Sequence, residues 1–425
     1  MKIFKILPFA LFLGLILGLS SCFNDDCQQT RTFYRYDPVY KTHKQIIEGL
    51  ELNASRELET PGKIYVYNQF LLINEPKEGI HIFDNSNPSN PVKINFISIP
   101  GNVDLAVREN TLYADSYIDL LVINIQSPQN PILVCRLENV FAPIFNDPAR
   151  GLLVDYTPTQ ETITLDCNAT NFNRINFFEG DVFFSADKTA NGSNGGNVAI
   201  GIGGSMARFT IWSDFLYTVD QSQLYSFNIQ APCPTLLNKN QIGWNIETIY
   251  PYQDKLFIGS ANGMFIFELT NPASPKLAGS LEHWRSCDPV VVQESLAYVT
   301  LHGGTECGGY SNQLDIIDVS NIYAPKLLKT YPLVRPLGLS VYQKYLFVCD
   351  EALKIFNVEK WQDIILIKQI NHNSPYDLII NPEEKTLILV SSKGIFQYDI
   401  SSPENPILLS TILSSIKKNC RAPFK

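Results

Sequence analysis

The sequence predicts an all-β fold, a seven-bladed β-propeller of four-stranded antiparallel blades, on three observations. A phrase of Asx, Ser and Pro residues recurs, as "IFDNSNPSNP" from Ile82, "VINIQSPQNP" from Val122 and "QYDISSPENP" from Gln397. Its equivalent residues, Asp84, Asn124, Asn228, Glu268, Asp318, Asn357 and Asp399, mostly stand 39 to 42 residues apart. Between them lie short runs rich in Val, Ile, Leu, Phe and Tyr, with no amphipathic helix of useful length after residue 60. A period of roughly 40 with four strand-like runs per repeat is the mark of sheets that stack radially to cover faces a single sheet leaves open.

Residues 337–373 serve as the pattern for one unit. "LGLSVYQ", "KYLFVCD", "LKIFNV" and "DIILIKQI" read as four strands joined by tight turns. "FLLINEP", "TLYADSY", "FLYTVDQ", "KLFIGSA", "LAYVTLH" and "TLILVSS" take the place of the second strand in the other units. The recurring phrase is the corner from third to fourth strand. Asp or Asn bonds its own following amides there, and Pro withholds a donor so that the ladder stops. A ring of calcium ligands is the functional alternative, but turn chemistry alone accounts for these residues. "EKWQDI" in the sixth unit lacks the Ser-x-Pro pattern, so a differently built corner is expected. The intervals before Asn228 and Asp318 are longer and carry insertions, the larger at 142–207. The stretch 45–55, "QIIEGLELNAS", is the one short helix candidate.

The N-terminus indicates a compartment. Lys2 and Lys5 precede an apolar run from Ile6 to Leu19, too short for a comfortable membrane span of about 20 residues and suited to a signal peptide. Leu19-Ser20-Ser21-Cys22 resembles the lipobox of bacterial lipoproteins, which implies acylation of Cys22. The following Asp25-Asp26 resembles the surface-export signal of Bacteroidetes lipoproteins, with a periplasm-facing anchor as the alternative. The expected organisation is a signal peptide at 1–21, a lipidated linker at 22–60, the propeller at 61–413 and a tail at 414–425.

Charge narrows the partners. The chain carries a formal net charge of -9, and removal of the leader with its two lysines makes it -11. An acidic protein is a poor primary partner for nucleic acid. The sequence shows no nucleotide fingerprint. "GNVAIGIGGSMA" lacks the strand-to-helix context of one, Ser205 lacks a nucleophile elbow, and five scattered histidines give no metal spacing. No cofactor and no metal are expected, and a monomer is. A disulfide is expected between Cys287 and Cys307, which lie on two loops at the same side of one unit. Two separate thiols are the alternative. Cys349, within "LFVCD", reads as a buried thiol, while Cys27, Cys135, Cys167, Cys233 and Cys420 are left unpaired.

"LLVINIQSPQNP" (120–131), "LDIIDVSNIYAP" (314–325), "GIGGSMARFTI" (201–211) and "LVRPLGLSVYQKYLFVCDEALKIF" (333–356) together resemble the LVIVD-repeat lipoproteins of Bacteroidetes. The resemblance spans roughly 32 to 413. It implies a propeller and supplies no activity.

Antiparallel strands send the second-to-third turns and the links between units to one side. That side collects the 142–207 insertion, the loop "LHGGTECGGYSN" (301–312) and the links "GSMAR", "QIGWN", "HWRSCDP" and "VRPLG". Loops on a rigid scaffold are where function concentrates. Arg208, Arg285 and Arg335 stand near the starts of first strands. Glu75, Asp115, Asp220, His302 and Asp350 end second strands. An ion-paired ring of turn caps is the plain reading, and a site where arginine forks grip an acidic ligand is the functional one. Trp244 and Trp284 are candidate contact residues for a binding module. The leading expectation is therefore an envelope lipoprotein whose propeller binds a protein or glycan partner. The alternatives are a carbohydrate-active hydrolase or lyase working in the funnel and a structural spacer.

Overall fold

The structure is a computed structural model that describes residues 28–166, 202–243, 245–282, 289–303 and 312–415. The leader, Cys22, Cys27, Cys167, "DVFFSA", Trp244, Trp284, Arg285, Cys287, Cys307 and Cys420 lie outside the described residues. The described residues divide into two compact units, 28–39 with 155–166, and 40–154 with those of 202–415. Among the described residues no helix is long and apolar enough to cross a membrane.

The smaller unit is built on a ribbon. The strand Gln28–Lys41 is bonded to the long strand Gly151–Asp166. Thr30 faces Thr164 and Thr32 faces Thr162 across it, each hydroxyl pair 3.2 Å apart. Residues 28–41 thus form a strand where the sequence suggested a linker. Its partner strand contains "ETIT" from the insertion.

The larger unit repeats one four-stranded antiparallel sheet. We number the sheets 1 to 7 along the chain, over residues 64–98, 105–137, 209–241, 246–282, 290–332, 339–370 and 375–413. Each is a simple meander, and with the ribbon they make eight sheets among the described residues. Sheet 6 is representative: Leu339–Tyr342, Tyr345–Cys349, Leu353–Asn357 and Ile365–Ile370 fall on the four runs expected from the sequence. The first three strands of each sheet are mostly buried, while the fourth alternates and exposes residues such as Ile365. In every sheet the register shifts once between third and fourth strands, a bulge that bends the outer strand. The first strands of successive sheets neighbour one another in a closed cycle that returns from sheet 7 to sheet 1.

The corner behaves as its residues dictate. Side-chain oxygens of Asp84, Asn124, Asn228, Asp318, Asn357 and Asp399 each accept the amide two residues on, at 2.7–2.9 Å. "EKWQDI" is corrected here. Its Asp363 N–H donates to the Lys360 carbonyl at 3.0 Å, the bond that Asn405 makes to Ser402 in sheet 7. Asn357 supplies the Asx contact, so the prolines are dispensable.

Three further features depart from the sequence reading. The helix occupies His43–Glu48, earlier than 45–55, because Thr42 and Gln45 form a capping box and Gly49 ends it. Glu51–Ala54 is instead a strand on the outer edge of sheet 1. Cys135 and Cys233, left unpaired above, form a disulfide with Cα atoms 5.5 Å apart. It joins the outer strand of sheet 2 to the corner of sheet 3, the two sheets between which the insertion separates the chain. Cys349 is fully buried, as expected.

The ring is sealed by side chains, since sheets 1 and 7 each draw their four strands from one contiguous stretch. Asn85 and Gln397, both buried, exchange amide hydrogen bonds of 3.0 and 2.7 Å. Ser410 donates to the Pro88 carbonyl at 2.6 Å, and the Tyr376 hydroxyl donates to the Pro61 carbonyl.

Two measurements follow. Replacing Gln397 by Leu strands the buried Asn85 amide, and chemical denaturation should register a loss of about 1–3 kcal/mol. Replacing Cys135 and Cys233 together by Ser should cost about 4–5 kcal/mol in the chain-entropy limit for a loop on the order of 100 residues, read as a lower denaturation midpoint that added reductant no longer shifts.

Candidate functional site

The axis of the ring is occupied by the end of the insertion. Ile202–Gly203 adds a strand to the inner edge of sheet 1, pairing with Val66 and Tyr65. The Ser205 hydroxyl accepts the Leu339 amide of sheet 6 at 2.7 Å, and the Ala207 carbonyl accepts the Ile249 amide of sheet 4 at 2.6 Å. Residues 203–207 are all buried. Residues 202–207 therefore cross the centre, where small residues let several backbones approach. Residues 203–207 fill the axial position where the sequence suggested an open funnel.

Between sheets 2 and 3, a cleft of about 240 Å³ is lined by Val103, Asp104, Asp115, Tyr117, Ala142–Ile144, Leu152–Val154, Arg208, Phe209 and Asp220. It opens among the links and second-to-third turns, the loop-rich side, and the first residues of the insertion form part of its wall. Gly101 also lines it with φ +77, and a Cβ there would meet the Tyr117 ring at 2.4 Å. Most of the lining is apolar, and Ile144 at the rim is 56% exposed.

Asp115 is the polar centre. Its Oδ1 accepts the Val103 and Asp104 amides at 2.8 and 2.9 Å and the Asn102 side-chain amide at 2.8 Å. Among the described residues its Oδ2 has no hydrogen-bond partner. Burial pushes the Asp115 pKa up to about 6; the amide bonds oppose the rise and the neighbouring Asp104 charge adds to it. Asp104 itself is committed. It takes Lys63 Nζ at 3.0 Å in a pair whose side chains are each 1% exposed, together with the Phe209 amide at 3.1 Å and the Arg208 amide. Asp220 is committed to its own turn, accepting from the Ser222 and Gln223 amides and the Tyr225 hydroxyl.

The predicted residues thus divide. Asp115, Arg208 and Asp220 come together in the cleft. Arg335 does not join them: it is exposed, on the link into sheet 6. Asp350 binds the Val334 and Arg335 backbone amides and pairs with Lys354 at 2.8 Å, bonds that hold its carboxyl below the usual range despite burial. His302 Nδ1 lies 3.2 Å from Asn312 Oδ1 on sheet 5. Glu75 repeats the Asp350 pattern. It accepts the Glu59 and Thr60 amides, Arg56 Nε at 2.7 Å and His81 Nε2 at 3.0 Å; though burial opposes ionisation, these bonds draw its pKa down to about 2. Glu75, Asp115 and Asp350 therefore all clamp the link that enters their own sheet. The pair of Lys63 and Asp104 escaped the sequence reading. Both stand directly before a first strand, as Arg208 does, and alignment on that position would have found them.

The Asp115 carboxylate carries a charge the folded state disfavours. Its folded pKa lies above the ordinary value of 3.8, so the associated stability is present at low pH and is lost as pH rises through about 6. Asp115→Asn should therefore melt higher than wild type near pH 7.5, and the difference should close towards pH 4.

Residues 62–95 and 286–332, in sheets 1 and 5, match the LVIVD repeat. No curated protein matches the chain. A solved structure from Lactobacillus plantarum is similar at 12% identity and TM-score 0.55, over 84% of this chain and 97% of that one. Periplasmic gluconolactonase PpgL of Pseudomonas aeruginosa is similar at 9% identity and TM-score 0.53, over 84% and 96%. A protein from Desulfotomaculum acetoxidans gives 14% identity and TM-score 0.51, over 81% and 95%. At such identities the likeness extends to the fold alone. The chain is a repeat protein with LVIVD repeats and a propeller-like all-β fold.

Proposed function

We propose that this chain is a seven-bladed β-propeller, anchored by lipid at Cys22 to the outer membrane as in the Bacteroidetes LVIVD lipoproteins, and that it is a monomeric binding module for a protein or glycan partner. The blade count is supported by seven sheets whose first strands neighbour in one cycle. The anchor is supported by Leu19-Ser20-Ser21-Cys22 after a short apolar run, and surface display by Asp25-Asp26.

The cleft between sheets 2 and 3 carries the binding reading. It combines apolar walls with one carboxylate oxygen, Asp115 Oδ2, left over after its sister oxygen takes three N–H groups. Pockets of this composition, apolar with a few convergent polar atoms, are the common form of ligand site. Glu75, Asp220 and Asp350 on this side are spent on backbone amides, which favours holding a ligand over transforming one. A second reading, an enzyme acting on polysaccharide or lactone, has one observation in its favour. Asp115 has a pKa of about 6, where a general acid works.

The full mature chain, screened for binding to envelope proteins and arrayed glycans and for turnover of polysaccharides and lactones, separates these readings. The binding-module reading expects a bound partner, at least tenfold weaker binding with Asp115→Asn, and no turnover. Turnover that Asp115→Asn abolishes would replace it with the enzyme. Arg335→Ala should keep the wild-type melting temperature, since Asp350 holds its backbone and not its guanidinium. A loss of binding in that variant would extend the contact to sheet 6. Mass spectrometry of the membrane-extracted protein tests the anchor, and an unmodified Cys22 would remove it.

A further inference from the structure

We propose that the cleft between sheets 2 and 3 receives an apolar side chain of a partner protein, with an adjoining N–H or O–H group of that partner donating to Asp115 Oδ2. The inference rests on the binding-module reading and names its ligand class.

The lining decides between protein and glycan. A sugar ring brings several hydroxyl groups, and each one buried without a partner costs free energy. The cleft has little to offer them. Asp104 is occupied by Lys63 and three amides, those of Arg208 and Phe209 on Oδ2 and that of Leu105 on Oδ1, and Asp220 by its turn and Tyr225. Lys77 and Arg208 each already have a partner. An apolar side chain asks for nothing from these groups and gains from leaving water, by about 25 cal/mol per Å² buried. The apolar surface also continues outward. Ile144 and Phe145 at the rim are 56% and 52% exposed, so contact can extend past the cleft onto a larger partner. Asp115 Oδ2 then supplies the single polar requirement, and it is an acceptor. The carboxylate form accepts best, so binding strengthens as Asp115 ionises. Of the other charges facing it, Asp104 with Lys63 and Asp220 are held by the bonds already named, and Lys77 and Arg208 each have a partner.

The test uses the full mature chain against a random peptide library displayed on phage, with a glycan array in parallel. Ala142→Trp adds bulk at an exposed lining position, and Ile144→Glu places charge on the exposed rim, which keeps a second variant in hand should the first misfold. The expected result is a set of peptides sharing an apolar anchor, whose affinity falls at least tenfold in either variant at unchanged melting temperature. Their affinity should also fall roughly tenfold from about pH 7 to about pH 5, because a group of pKa near 6 is then about nine-tenths protonated. Asp115→Asn should remove that pH dependence. Peptides that bind both variants as well as wild type would overturn the proposal. Glycans as the only ligands sensitive to the variants would overturn the ligand class and leave the binding-module reading standing. Absence of any variant-sensitive ligand, peptide or glycan, would overturn both.

Discussion

The carboxylate of Asp104 is the constraint on which the arrangement around the insertion depends. It stands at the head of sheet 2, takes Lys63 from the head of sheet 1, and takes the Arg208 and Phe209 amides from the head of sheet 3. Two charges withdrawn from water would be strongly unfavourable alone. Here they neutralise each other, and the remaining oxygen capacity is filled by N–H groups. The bond between three sheets falls where the chain is least able to hold them in line, since the insertion parts sheet 2 from sheet 3. The Cys135–Cys233 disulfide repeats the same join at the outer edge. An inner carboxylate and an outer disulfide thus brace the interval that carries the cleft at both its edges.

What was legible in the sequence was local. The corner phrase could be read because an Asx side chain bonds an amide two residues away, a contact that needs no knowledge of the fold. Four strands per unit could be read for the same reason. "EKWQDI" misled because proline was taken as essential to the corner, whereas Asn357 and the i→i+3 bond suffice. The helix boundary at Thr42 was set by a capping box that a search for apolar period alone passes over.

What was not legible was made by the closing of the ring. The cleft draws on residues from Lys77 to Ser222, and no spacing marks them as neighbours. Asp115, Arg208 and Asp220 could be nominated as charges near strand ends, yet only the fold separates Asp115, with an oxygen to spare, from Asp220, which has none among its turn contacts. The glycine-rich run before Arg208 could be excluded as a nucleotide loop, but the course of residues 202–207 across the axis depends on sheets 1, 4 and 6, which they meet there. Cys135 and Cys233 are 98 residues apart, and chain separation of that size says nothing about distance once an insertion intervenes.

The seal between sheets 1 and 7 has a consequence for the order of assembly. Each four-stranded meander comes from one contiguous stretch of chain, so each can form as soon as it emerges during synthesis. Contacts close in sequence form early because little loop entropy opposes them. The seal cannot, because Gln397 must emerge before Asn85 finds its partner. Until then the nascent protein is an open stack with an apolar flank at each end, and the interval when it most needs a chaperone's cover is the time taken to deliver its last sheet.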